Sequence, residues 1–159
     1  MGNDNLERMI QLADEFFETK SDSSQISIDV KTIALLKNIH PSTMTERRTG
    51  KGPIAWAMVI PTTHDIMRRF VSKQITEYEL LLLTPGGRKY DSLYLCSALV
   101  LPEFRKKGYA KRLIVRAVKD IRKDHPIEHL FYWGFSAVGA KLARAIAKEF
   151  RLPLHRRKP

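Results

Sequence analysis

The sequence predicts a mixed α/β fold, a mixed sheet flanked by helices with a helix-rich N-terminal half, and three observations carry that expectation. Residues 92–100, SLYLCSALV, are an apolar run rich in strand formers, and a helix-spaced pattern follows them after a short basic turn. Residues 54–60, IAWAMVI, are apolar on both faces, the pattern of a strand inside a sheet. Helical spacing dominates the N-terminal part, and strands alternate with helices only in the second half, so a wholly parallel crossover sheet is not expected. With 159 residues and 43% hydrophobic content the chain can build one core and is short for two, so one domain over 1–159 is expected, its helical part over 1–50.

Taken in order, residues 3–20 predict a helix with Asn3 or Asp4 as N-cap and Leu6, Met9, Ile10, Ala13, Phe16 and Phe17 on its apolar face. Residues 21–24 read as a polar loop. Asp29 then caps a second helix with Val30, Ile33, Leu36 and Ile39 inward, ended by His40-Pro41. Residues 42–52, STMTERRTGKG, lack any period and read as a surface loop. The strand over 54–60 follows, with Pro61 as its stop. Thr62 and Asp65 start a helix that buries Ile66, Met67, Phe70 and Val71. Thr76 and Glu79 repeat the capping pattern before the leucines 80–83. A short helix is expected there, and a strand over 78–83 pairing with 92–100 is the alternative.

After the strand over 92–100 and its basic turn, Ala110, Leu113, Ile114, Ala117, Val118 and Ile121 fall on one helical face. Lys111, Arg112, Arg116, Lys119, Arg122 and Lys123 fall on the other, and Asp124 and Pro126 close the helix. Residues 129–135 read as an aromatic strand. Ser136 caps a last helix with Val138, Leu142, Ile146 and Phe150 inward and Ala140, Ala143 and Ala147 on a narrow second face. Residues 152–154 are expected to add a short edge strand, and 155–159 a mobile basic tail.

Composition excludes several classes of function. Cys96 is the only cysteine and lies in an apolar run, so no internal disulfide or multi-cysteine metal site can form, and a small buried residue is expected. His40, His64, His125, His129 and His155 show no ligand spacing, so no metal is expected. No run of eighteen apolar residues occurs and MGNDNLERMIQ lacks a signal-peptide profile, so a soluble, cytoplasmic protein without membrane contact is expected. Gly2 hints at myristoylation, but Leu6 stands where that motif wants Ser or Thr. A net charge of +11 suits an acidic substrate, an acidic partner or nucleic acid, and its dispersal equally suits an ordinary basic protein.

The stretch that carries chemistry is Arg105-Lys106-Lys107-Gly108-Tyr109-Ala110, at the junction of strand and basic helix. A glycine and a small residue let a ligand approach the backbone, and the first N–H groups of a helix lack partners and carry partial positive charge. Such a turn, with three cations beside it, can cradle phosphates. The plainer reading is a solvated cationic face with an entry glycine.

Arg105-x-x-Gly108-x-Ala110, preceded by Val100-x-Pro102-Glu103 on a strand and followed by an amphipathic helix, resembles the acyl-CoA-binding motif of the GNAT-type N-acetyltransferases. The resemblance covers roughly 92–154 and extends loosely to 54–60. It implies a GNAT-like fold whose CoA-binding part spans about 91–154, in which the strand ending at Val100 and the strand over 130–135 splay apart for the pantetheine arm. Backbone groups of Leu99, Val100 and Leu101 would bond that arm. The N–H groups from Arg105 through Lys106, Lys107, Gly108 and Tyr109 to Ala110 would hold the pyrophosphate, with Lys106, Lys107, Lys111 or Arg112 near the outer phosphates. The implied activity is direct acetyl transfer from acetyl-CoA to an amine, with no metal. Family members commonly carry a tyrosine late in the last helix as proton donor to the thiolate, and Ala147 stands there instead. Tyr132, Tyr109 and Ser136 are the replacement candidates, and a base is unassigned, with Glu77, Glu79 and Glu103 as the nearby carboxylates. Trp56, Trp133 and Tyr94 are candidates to line an acceptor pocket, and the acceptor is a small-molecule or peptide amine, with an acidic one suiting the charge. Two alternatives stand beside this. One is a basic module contacting nucleic acid through residues 107–123 and 155–158, and the other a CoA-binding protein that has lost transfer activity.

Overall fold

The computed structural model describes residues 4–17, 26 and 29–159. Two long strands, β2 (Gly52–Thr62) and β3 (Ser92–Val100), pair antiparallel. They lie within a five-stranded sheet of spatial order β1-β2-β3-β4-β5, where β1 is Met44–Thr49, β4 His129–Trp133 and β5 Leu154–Arg157. β1 pairs antiparallel with β2, whereas β4 and β5 run parallel to β3. The helices are α1 (Asp4–Phe17), α2 (Val30–Ile39), α3 (His64–Val71), α4 (Glu77–Leu83), α5 (Tyr109–Asp124) and α6 (Ala137–Phe150). The mixed α/β expectation is met by this mixed sheet with helices on its flanks.

Side-chain alternation along the strands divides the core between the two faces of the sheet. Leu93 and Leu95 of β3 and Leu130 and Tyr132 of β4 pack against Ile114, Val118 and Ile121 of α5 and Ile146 of α6. On the other face Tyr94 and Phe131 join Met58 and Ile60 of β2 against Ile66, Met67 and Phe70 of α3 and Leu80 of α4. The rings of Phe70, Tyr94 and Phe131 are fully buried, with Tyr94 stacked on Phe131 at 5.1 Å and Phe70 tilted 4.9 Å from Tyr94. Burial of one such side chain contributes about 1.5–3 kcal/mol, so this trio is a principal anchor of α3 to the sheet. α1 lays Met9 and Ala13 on Ile54, Leu99 and Leu101 at the far end of β2 and β3.

Several sequence expectations are corrected. Residues 42–52 are not a loop: they contain β1, whose residues MTERRT are half-buried or exposed throughout and therefore carry no apolar alternation. β1 holds through backbone pairing across the tight turn at Gly50-Lys51, and the 1–50 part is not wholly helical. Pro61 does not stop β2, which runs on to Thr62. β1 reaches only Met58, so past that point one edge of β2 is open and a residue without an N–H is tolerated. The α3 cap is consequently Thr63, not Thr62. The predicted inward residues Ile10, Val30 and Val138 are exposed. Asn5 and Thr32 are buried in their helices instead, because tertiary contact and not residue type sets each face, whereas Ala143 and Ala147 are buried as their narrow face of α6 leads one to expect. The described part of the first helix ends at Phe17, and the polar loop over 21–24 lies outside the described residues.

Other expectations are met. Asp29 caps α2 by accepting from Thr32 N–H at 2.8 Å, Thr76 and Glu79 form a reciprocal capping box on α4, and Ser136 caps α6. The strand alternative for 78–83 fails, since α4 occupies those residues. The aromatic strand ends at Trp133 and not at residue 135. Residues 155–159 are no mobile tail: β5 takes in Leu154–Arg157, and Lys73 donates to the Pro159 carbonyl at 2.9 Å.

Candidate functional site

β3 and β4 share only the register pairs Ser92↔His129, Leu93↔Leu130 and Tyr94↔Phe131. Beyond these, β3 continues to Val100 and β4 to Trp133 without pairing to each other, so two parallel strands fork. Two features open the fork. Cys96 is the extra residue of a β-bulge, since Met58 pairs with Ser97 while Val59 pairs with Leu95, and a bulge bends and twists its strand. β4 meanwhile keeps its pairing with β5 to the end, through Tyr132↔Arg156 and Trp133↔Arg157.

Beyond the open end of β3 lies the basic turn. A single 3₁₀ turn over Pro102–Phe104 leads to Lys106 at φ 63° and Gly108 at φ 81°, both left-handed, and α5 begins at Tyr109 with no side-chain cap. Among the described residues, the N–H groups of residues 106–111 meet no protein acceptor. Alternating left-handed residues ahead of a helix start make a concavity of N–H groups suited to an anion. Lys106, Lys107 and Lys111 are exposed beside it. Two arginines fold back onto the turn: Arg105 Nε donates to the Val100 carbonyl at 3.0 Å, and Arg112 Nη1 to the Lys107 carbonyl at 2.9 Å. The Arg112 guanidinium lies 4.9 Å from the centroid of the Tyr109 ring. Further along α5 an open groove is lined by Lys111, Arg112, Val115, Arg116 and Lys119, with Glu149 of α6 on its other wall. Glu103 within the turn pairs with Arg8 at 2.7 Å, an exposed link from the turn to α1 whose hydrogen bond holds the carboxyl below its usual range.

The other predicted residues distribute around this fork. Leu99 and Leu101 bury their side chains against α1, and Leu101 N–H is already used by the Ile54 carbonyl at 2.9 Å. Ala110 is half-buried in the first turn of α5, next to Tyr109. Tyr132 lies on the part of β4 that is paired with β5 but not with β3, buried on the α5 and α6 face, and Ser136 spends its hydroxyl on Gly139 N–H at 3.0 Å. Ala147 is buried at the α6 contact with the core. Trp56 sits away from the fork on β2 and donates to Glu46 at 3.3 Å.

On the opposite face the structure gathers a polar cluster that sequence reasoning did not assemble. Glu77 is a buried carboxyl, which accepts from Ile26 N–H at 2.9 Å, from the Tyr94 hydroxyl at 2.6 Å and from the Cys96 thiol at 3.7 Å. Burial lifts its pKa above the usual carboxylate range, against the opposing pull of those donors and of Arg157. Burial also pushes the Tyr94 hydroxyl and the Cys96 thiol well up, with Glu77 adding to both. Tyr94 is the last residue of β3 paired with β4, and Cys96 lies two residues past it, so Glu77 is held at the fork's root. Arg157, on β5, is buried and donates through Nη1 to the carbonyls of Phe70 and Ile75, both at 2.7 Å. Its guanidinium lies over the rings of Phe70 and Trp133, at 4.5 and 4.7 Å. The one sequence signal for Glu77 was that the capping box needs only Thr76 and Glu79. That leaves Glu77 as an unexplained charge at the edge of an apolar run. Comparison with protein-family models, curated proteins and solved structures yields no match.

Proposed function

We propose that this chain is an acyl-CoA-dependent N-acyltransferase of GNAT-like fold, transferring an acetyl group to an amine by direct attack on the thioester. The observation that carries the proposal is the fork between β3 and β4 adjoining a turn whose successive N–H groups have no acceptor. A forked parallel pair offers a slot with unused strand-edge groups along its walls. A left-handed turn entering a cationic helix offers donors for a diphosphate. Their adjacency matches a ligand with a diphosphate at one end and a long amide-bearing arm at the other.

In this reading the turn over residues 105–110 holds the pyrophosphate, Lys106, Lys107 and Lys111 face the outer phosphates, and Arg105 and Arg112 swing off their carbonyls as the ligand enters. Backbone groups of Leu99 and Val100 meet the arm. Fixed backbone donors orient the thioester and stabilise the developing oxyanion without reorganising. The amine nitrogen attacks the carbonyl carbon, its proton passes to the Glu77 carboxylate through a water, and the carbon–sulfur bond then breaks. The departing thiolate takes a proton from Tyr132, the phenol on the part of β4 not paired with β3. Burial raises the pKa of Glu77 above the usual carboxylate range, which makes its carboxylate a stronger proton acceptor than an exposed one. A CoA-binding role without transfer is the second reading, favoured by the buried Ala147 where the family's tyrosine is expected.

Isothermal titration of CoA into the full chain tests the proposal. Saturable binding is expected, and it is expected to vanish in Gly108→Glu. That variant puts a side chain at φ 81° and brings its Cβ within 3.0 Å of Arg112 Nη1. Absence of binding at high micromolar CoA, or full binding by the variant, would overturn it. A thiol-release assay over a broad amine panel separates transferase from binder.

A further inference from the structure

Arg157 is a buried cation, 9% exposed, that Glu77 reaches only through space, without a contact ion pair among the described residues. Among the described residues Nη1 alone has acceptors, two backbone carbonyls, and Nε is buried with none. The Nε1–H of Trp133 is likewise buried without an acceptor. These two orphan donors belong to register partners on neighbouring strands, and the guanidinium carbon lies 4.7 Å from the indole centroid. Buried donors and buried charges are almost always satisfied, so two adjacent exceptions, one of them cationic, point to a missing anionic acceptor.

The anion's chemistry follows from the donors and the surroundings. A guanidinium Nε–H beside an indole N–H offers two donors to the two oxygens of a carboxylate. Trp133 is the last residue of β4, on the unpaired arm of the fork, and the ring of Phe135 packs 4.2 Å from its indole and is 47% exposed. The orphan donors therefore lie beside the fork on the Glu77 face, opposite the face covered by α5 and α6.

We infer that Arg157 and Trp133 form a carboxylate-binding subsite, and that the acceptor amine carries a carboxylate, as a free amino acid does. The word acceptor rests on the acyl-transfer reading; the carboxylate rests on Arg157 and Trp133 alone. An acceptor held this way would present its amine toward the fork while its carboxylate neutralises the buried guanidinium. It also gives a use for β5, which delivers Arg157 to this spot.

The test is calorimetric titration of the full chain with leucine, phenylalanine and glutamate, each beside its carboxamide, and with inorganic phosphate, in the absence and presence of CoA. Trp133→Phe keeps an aromatic ring against Phe70 and Phe135 and removes the orphan donor together with part of the indole's packing, so its folding is checked by urea midpoint. At least one free amino acid is expected to bind while its carboxamide does not. Trp133→Phe is expected to weaken that binding about tenfold, the scale of one hydrogen bond to a charged group. The inference is overturned if no amino acid binds with or without CoA, if carboxamides bind equally, if phosphate binds and carboxylates do not, or if Trp133→Phe binds as the wild type does. Amino-acid binding by a chain that shows no CoA binding would leave the subsite standing and sink the transferase reading. CoA binding without amino-acid binding would do the reverse.

Discussion

Glu77 shows how much a single buried group can couple to pH. Its folded-state pKa lies above the unfolded value, chiefly through burial, so the folded chain holds this proton to higher pH than the unfolded chain. Its contribution to stability is therefore complete below the ordinary carboxylate range and is lost as pH rises through the folded value. Glu103 and Asp124, whose pKa values are lowered by partners, act in the opposite sense. The difference between wild type and Glu77→Gln isolates the contribution of this carboxyl. Urea midpoints measured from acid to neutral pH are expected to fall in the wild type relative to the variant, and parallel profiles would contradict this. Tyr94→Phe removes the hydroxyl nearest the carboxylate, at 2.6 Å. The same melts are expected to show it less stable at neutral pH by about 1.5–3 kcal/mol, the scale of a hydrogen bond to a charged group.

At the scale of elements, β5 is the strand whose loss would spread furthest. Arg157 closes two backbone carbonyls, Phe70 at the end of α3 and Ile75 before α4, so one side chain ties the C-terminal strand to both helices on that face. Arg157→Ala leaves those carbonyls without their donor and strips a cation from two aromatic rings, for an expected loss of about 3 kcal/mol in urea denaturation. A loss within about 0.5 kcal/mol would contradict it, since that is the ordinary effect of a surface substitution. An edge strand was legible at residues 152–154, but its extension over His155, Arg156 and Arg157 was not, because those residues carry no apolar alternation. β1 was missed for the same reason, its MTERRT gaining a place only by pairing with β2. β3 was legible to its last residue, since its burial comes from its own composition, and α5 likewise, since half its circumference is apolar. The turn between them could be read because all its residues are contiguous. The polar cluster could not, because Glu77, Tyr94, Cys96 and Arg157 meet only through α4, the bulge and the last strand.

For the whole molecule, a charge of +11 exceeds what one diphosphate and one carboxylate would use, which keeps nucleic acid as a competing partner. Among the described residues no helix is long and apolar enough to cross a membrane. A gel-shift series over salt separates the possibilities. Weak binding that fades uniformly with salt and leaves CoA affinity intact is expected, whereas tight binding competed by CoA would place nucleic acid at the fork's turn. The most direct test of the central claim is a crystal structure of the full chain soaked with CoA. The diphosphate is expected on the N–H groups of residues 106–111, and the arm between β3 and β4, with Arg105 and Arg112 displaced from their carbonyls. CoA bound elsewhere, or a fork still closed to it at saturating concentration, would contradict the account.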